Sequence, residues 1–215
     1  MFPTDTRGDR DRLLTLAEAI AAALDAVRPV RETETVPLLE AYGRVLAADL
    51  SARLDVPPHD NSAMDGFALY RADLQAVGPT RLPVIGQALA GHPYAGVVPR
   101  GVAVRITTGA VLPTGPDAVI MQEQCAIAPD ESEIVIEPQA AARLKPGANI
   151  RRRGEDVQAG TVLLAGGSRL RPQEVSLAAG QGIAALTVRR RPRVAVASTG
   201  DELYESDAEL PPGAI

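Results

Sequence analysis

A chain of 215 residues is long enough for one large domain or two small ones, and its 46% hydrophobic and 23% charged residues are those of an ordinary globular protein. The net charge of −5 gives no electrostatic reason to propose a nucleic-acid or membrane-surface partner. One cysteine, Cys125, excludes an intrachain disulfide and a multi-cysteine metal site. With aromatics at 3% and no Trp, the core must rest on Ala, Val, Leu and Ile, and 18 Pro with 19 Gly point to many turns and short strands.

Residues 1–12 mix acids and arginines and read as a solvated leader. Leu13, Leu16, Ala17, Ile20, Leu24 and Val27 recur at helical spacing, and Thr15 with Glu18 reads as a capping box. This predicts an amphipathic helix from about Leu16 to Val27, ending before Pro29, whose apolar stripe needs a partner in this chain or in a second copy. Glu18 and Asp25 interrupt it as a signal sequence, and no apolar stretch reaches the roughly 18 residues of a membrane span. The expectation is a cytoplasmic protein.

A strand at Thr33–Leu38, a helix at Glu40–Asp49 weakened by Gly43, and an extended run Ser51–Pro58 follow. Short β-type runs then alternate with Pro/Gly turns: Phe67–Tyr70, Leu82–Ala88, Ala103–Ile106, Ala118–Met121 and Ile134–Ile136. That texture predicts a small, mostly antiparallel β domain ending near Pro146-Gly147. Beyond it lie a strand at Val162–Leu164, a helix Gln173–Ala179 opened by Pro172, and a strand Ala185–Val188. Val194–Ala197 reads as a strand buried on both faces, the opening of a further α/β unit.

Four polar segments carry the chemistry. In Pro57-Pro-His-Asp-Asn-Ser-Ala-Met-Asp-Gly66, Asp60, Asn61, Ser62 and Asp65 crowd a loop stiffened by prolines, suited either to a ligand or hydrated cation or to Asx-turns. Arg105-Ile-Thr-Thr-Gly-Ala110 ends a strand in hydroxyls and N–H groups, an oxyanion turn or a plain strand end. Asn149-Ile-Arg-Arg-Arg-Gly-Glu-Asp156 sets a carboxylate pair after three arginines, a functional pair or a salt-bridge knot. Ser198-Thr-Gly-Asp-Glu-Leu203 follows the last strand, where open α/β sheets take anionic ligands. Cys125 reads as a small buried apolar residue or a reactive thiol. His59 and His92 sit near neither a second histidine nor a serine-nucleophile motif.

Taken in order, these four strings resemble the molybdopterin molybdenumtransferase family, which includes the C-terminal domain of gephyrin; the match runs over nearly the whole chain after about residue 12. The resemblance implies an α+β multidomain chain. Its elongated α/β first domain comes in two segments, 13–56 and 147–190, around an inserted small β domain, 57–146. Residues 191–215 would begin a truncated α/β molybdopterin-binding-like domain, so that most of the catalytic domain is lacking. It further implies a homodimer with its cleft between subunits, adenylylated molybdopterin and molybdate as substrates with Mg²⁺, AMP as a product, and the molybdopterin adenylyltransferase as a partner. By position, Asp60, Thr108, Asp156 and Glu202 match residues used in that cleft. Asn61, Ser62, Asp65, Gly200 and Asp201 lie beside them as cofactor-binding residues, and no Mg²⁺ ligand is assigned. The other function class is a dimerising pterin-binding or scaffold module without turnover.

Overall fold

The computed structural model describes residues 13–196, 198–205 and 207–214; the leader 1–12 and Ala197 lie outside them. Helix α1 (Leu16–Ala26) begins as its capping box requires. The Thr15 hydroxyl accepts the Glu18 N–H at 3.3 Å and the Glu18 carboxylate accepts the Thr15 N–H at 2.9 Å, each satisfying a donor that the first turn leaves without a partner. No residue of α1 is buried, so its stripe of Leu16, Ile20 and Leu24 is uncovered among the described residues.

The strands in chain order are β1 (Thr33–Pro37), β2 (Leu50–Ser51), β3 (Asn61–Ser62), β4 (Gly66–Leu69), β5 (Thr80–Ala88), β6 (Ala103–Ile106) and β7 (Ala118–Met121). They continue as β8 (Cys125–Ile127), β9 (Glu133–Ile136), β10 (Ile150–Arg151), β11 (Val162–Leu164) and β12 (Ala185–Arg189). Two further helices are α2 (Pro138–Arg143) and α3 (Pro172–Gly180). Strands β4 to β9 form a six-stranded sheet in the order β7-β4-β6-β5-β9-β8, antiparallel throughout except for β5 and β6. Every residue of β4 is buried: Phe67 and Leu69 face Leu82, Ile120 and Ile134, while Ala68 packs on the other side with Val104 and Val119.

The rest of the fold closes over long sequence separations. Residues 33–37 of β1 pair antiparallel with 185–189 of β12, β2 with β11, and β3 with β10. Val36, Leu46, Leu170, Ile183, Leu186 and Val188 fill a second core between these ribbons and α3. At the start of α3 the Glu174 carboxylate accepts the Arg171 N–H at 2.8 Å and pairs with its guanidinium at 2.6 Å. The guanidinium bond, ahead of the backbone bond, lowers the Glu174 pKa to about 2.

Two expected elements are absent. Glu40–Asp49 is not an α-helix: a single 3₁₀ turn at Leu38–Ala41 gives way at Gly43, whose φ of +75° lies outside the right-handed helical region. The apolar residues after it serve a β arrangement, with Val45 bridging to Arg169 and Leu46 to Val188. The expected strand at 194–197 is likewise not formed over its described residues. Val194 and Val196 stand 78% and 87% exposed, because no described segment offers a ladder partner to their backbone. Strand β8 and helix α2 were not anticipated.

Gly66 shows how tightly the central sheet is drawn. A Cβ built there would lie 1.9 Å from the Ile120 carbonyl oxygen of β7, a backbone atom that cannot swing away. Gly66→Ala is therefore expected to destabilise the fold by more than about 2 kcal/mol, at or above the usual overpacking cost, as read from the denaturant midpoint. A variant within 0.5 kcal/mol of the parent, about the scatter of a surface change, would contradict this packing.

Candidate functional site

Asp60, Asn61, Ser62 and Asp65 line a loop that three polar segments share. Its first anchor is at the start of the loop. The Val56–Pro57 peptide bond is cis, and Val56 bridges to Val157. Just upstream, the buried amide oxygen of Gln181 accepts the N–H groups of Arg53 and Leu54 at 2.8 and 2.9 Å, fixing the chain's entry.

The second anchor is the arginine run. The Asp60 carboxylate accepts the Arg153 N–H at 2.8 Å and pairs with the Arg152 guanidinium at 2.5 Å. Arg153 in turn reaches Asp55 at 2.5 Å, and Arg151 pairs with Asp156 and lies 3.7 Å from Glu155. The three consecutive arginines thus take different carboxylates, the salt-bridge knot being one of the two readings open from the sequence. Exposed ion pairs contribute little to stability, so the knot is better understood as an ordered polar surface than as a stabilising device.

The third anchor is the Thr-Thr-Gly turn. Asp65 accepts both the Thr108 N–H at 2.7 Å and the Thr108 hydroxyl at 2.8 Å. Ser62 lies 1% exposed; its hydroxyl donates to the Met64 carbonyl at 2.6 Å, and its N–H donates to the Ala110 carbonyl at 3.0 Å. That hydroxyl shapes the turn. Asn61 pairs through its backbone with Arg151, and its Oδ1 is the one buried side-chain N or O atom among the described residues without a hydrogen-bond partner. A buried acceptor left open is uncommon and costly.

The structure therefore brings together Asp60, Asn61, Ser62, Asp65, Thr108 and Asp156. It does not join Glu202, Asp201 or Gly200 to them by any hydrogen bond or ion pair among the described residues. Those three form a separate turn, closed by the Leu203 N–H to the Gly200 carbonyl at 3.2 Å, with the Glu202 carboxylate folded back over Gly200. Asp55, 15% exposed at its side chain, was missed by sequence reasoning although it stands five residues before Asp60. An isolated acid ahead of a proline pair gives no local sign of a partner at Arg153.

Charge follows from these contacts. Asp60 is held below the usual carboxylate range first by the Arg153 N–H, with Arg152 adding to it and partial burial opposing. The Thr108 N–H and hydroxyl lower Asp65, and the Ala159 N–H followed by Arg153 lowers Asp55. Burial, ahead of the Glu123 charge, pushes the Cys125 thiol up to about 12, so it is not a thiolate at neutral pH. Among the described residues no three His, Cys, Asp or Glu side chains converge on a metal position. Asp60, Asp65 and Asp156 already face arginine or N–H donors, so this arrangement does not fit a protein cage for Mg²⁺.

A folded-state pKa below the ordinary 3.8 means that each of these aspartates adds stability at pH values above about 4 and loses it as pH falls through its folded value. Thr108→Val should raise the Asp65 pKa part of the way towards 3.8, because the stronger backbone bond persists, and leave Asp60 unchanged. Carboxylate carbon shifts followed by NMR from pH 6 to 2 check this; an unmoved Asp65 would mean that the Thr108 hydroxyl is not its partner.

A family model described as the MoeA N-terminal region, domains I and II, matches residues 14–182. The molybdopterin molybdenumtransferase of Haemophilus influenzae is 42% identical over 203 residues, covering 94% of this chain and 48% of that protein. Molybdopterin molybdenumtransferase 2 of Mycobacterium tuberculosis is 41% identical over 199 residues, covering 91% of this chain and 47% of that protein. A crystal structure of a molybdopterin biosynthesis MoeA protein from Pyrococcus horikoshii superposes with a TM-score of 0.82 at 37% identity, covering 94% of this chain and 52% of the other. The chain thus spans about half the length of the curated relatives it matches.

Proposed function

From the premise that this chain belongs to the MoeA N-terminal region family, we propose that it supplies one wall of the cleft of a molybdopterin molybdenumtransferase. The activity is the insertion of molybdate into adenylylated molybdopterin with release of AMP, a step of molybdenum cofactor biosynthesis. The single observation that carries this reading is the convergence of Asp60, Thr108 and Asp156 on one loop cluster beside exposed guanidinium groups.

Each residue has a task that its bonds suggest. Asp60 is a positioning residue that orients the Arg152 guanidinium, whose fork suits a phosphate of the pterin nucleotide. Asp65 aims the Thr108 hydroxyl, and Asp156 sets Arg151 in the same way. Gly200, Asp201 and Glu202 belong to the opposite wall, with the domain that residues 191–215 begin. The division 13–56, 57–146, 147–190 and 191–215 is supported by the long-range pairing of β1 with β12 around the six-stranded sheet. Mg²⁺ comes with the substrate phosphates and water, and the adenylylated pterin is passed on by a molybdopterin adenylyltransferase, in the cytoplasm.

The test pairs Asp60→Ala with Asp60→Asn in a polypeptide that also carries the remaining half of the relatives' length. Loss of the charge-assisted bonds at residue 60 should cost about 1.5–3 kcal/mol or less of stability. Displacing Arg152 should lower AMP release from adenylylated molybdopterin about 100-fold, as misplacement of a positioning group does. Activity that merely tracks the folded fraction would make Asp60 a turn-former. The 215 residues alone should release no AMP under the same conditions, and turnover at the full rate would overturn the two-walled cleft.

The uncovered stripe of α1 supports a homodimer. Leu16, Ile20 and Leu24 are exposed on one helix that buries nothing, and each Å² of apolar surface covered contributes about 25 cal/mol. Light scattering at micromolar concentration should give twice the 22.5 kDa of the chain; Leu16→Glu with Leu24→Glu should return it to a monomer. A monomer mass for the parent chain would reject the assembly.

A further inference from the structure

The run Arg189-Arg-Arg-Pro-Arg193, which the proposed cleft does not use, builds a second basic site. A pocket of about 190 Å³ opens between Tyr42–Val45 and Arg189–Pro192. At about 30 Å³ per water it has the room of roughly six waters, enough for a phosphate group. Among its lining residues Arg44 is only 9% exposed. The Arg44 Nη2 pairs with Glu34 and donates to the Arg189 carbonyl at 2.8 Å. Among the described residues its Nε and Nη1 carry no hydrogen bond, yet neither is sealed from solvent.

The neighbouring guanidiniums are fixed as well. Arg189 donates to the Arg31 carbonyl at 2.7 Å and the Ala47 carbonyl at 3.3 Å. Arg190 donates to the Arg191 carbonyl at 2.6 Å and lies 3.5 Å from Glu32. Arg191 has no carboxylate partner among the described residues. Four cations are thus opposed by two carboxylates, Glu34 and Glu32, in a protein whose overall charge is negative.

We propose that this pocket binds a phosphate dianion, with the unpaired Nη1 of Arg44 and the guanidinium of Arg191 as its principal donors. The excess of two positive charges matches the ligand's charge, and a guanidinium N–H gives a phosphate oxygen a charge-assisted hydrogen bond. Because Arg44, Arg189 and Arg190 are already tied to carbonyl oxygens, little side-chain freedom is lost on binding. Tyr42, exposed at the rim, leaves the mouth open to whatever the phosphate is attached to. None of these residues belongs to the Asp60 cluster, so the proposal stands apart from the proposed transferase reading.

Isothermal titration of the 215-residue chain with inorganic phosphate, and separately with AMP, tests it at constant ionic strength in chloride. One saturable phosphate site per chain is expected, weakened about tenfold in Arg191→Gln, which alters an exposed side chain, and lost in Arg44→Gln. Circular dichroism checks that each variant is folded, and if Arg44→Gln is not, the Arg191→Gln result decides. Tighter binding of AMP than of phosphate identifies the source as a phosphate monoester, and the reverse identifies free phosphate. No saturable binding above chloride, or equal binding in the parent and in folded Arg191→Gln, would overturn the proposal.

Discussion

Aspartate carboxylates that accept backbone N–H groups from distant segments hold the polar half of this structure in register. Asp49 takes the N–H of Gly166, Asp55 that of Ala159 and Asp60 that of Arg153. These are successive rungs between two segments running in opposite directions, with the short β2–β11 and β3–β10 pairs and the Val56–Val157 bridge among them. Ladders of two or three residues are too short to define themselves, and a charged acceptor on an N–H makes a stronger bond than a neutral one. Asp65 on Thr108 and Asp73 on Gly101 apply the same device to the six-stranded sheet.

This device and the proposed site are one piece of chemistry. Asp60 holds the two segments together and orients Arg152; Asp65 pins the Thr108 turn and aims its hydroxyl. Asp60 takes a backbone N–H on one oxygen and a guanidinium on the other, and Asp65 takes the Thr108 N–H and hydroxyl on a single oxygen. A carboxylate held by two donors has little freedom left, which is the condition for presenting a guanidinium or hydroxyl in a fixed direction.

Much of this was legible in the sequence, for reasons that differ by residue. Ala103–Ile106, Ala118–Met121 and Val162–Leu164 are strands to the residue, because apolar runs cut by Pro and Gly leave a chain few alternatives. The Thr15–Glu18 cap is a local contact and was readable as such. The segment after Glu40 was misread because Leu46 satisfies a helical and an extended pattern alike, and only the distant Val188 decides between them. The four polar strings announced themselves by composition and their order carried the family resemblance; the first three lie within the residues matched by the MoeA N-terminal region. Which arginine takes which aspartate was not readable. Those partners lie 92, 93 and 98 residues apart, and three adjacent arginines are equivalent until the backbone places them.

The pairing of β1 with β12 also sets the order in which a ribosome can hand this protein to its fold. Residues 33–37 leave the exit tunnel roughly 150 residues before 185–189, the strand that completes their ribbon. At about 5–20 residues per second the early strand waits on the order of ten seconds with its ladder unmade. The six-stranded sheet has no such delay, since all its strands lie between Gly66 and Ile136 and emerge together. The middle of the chain thus becomes structured first, and the flanking segments close around a body already formed.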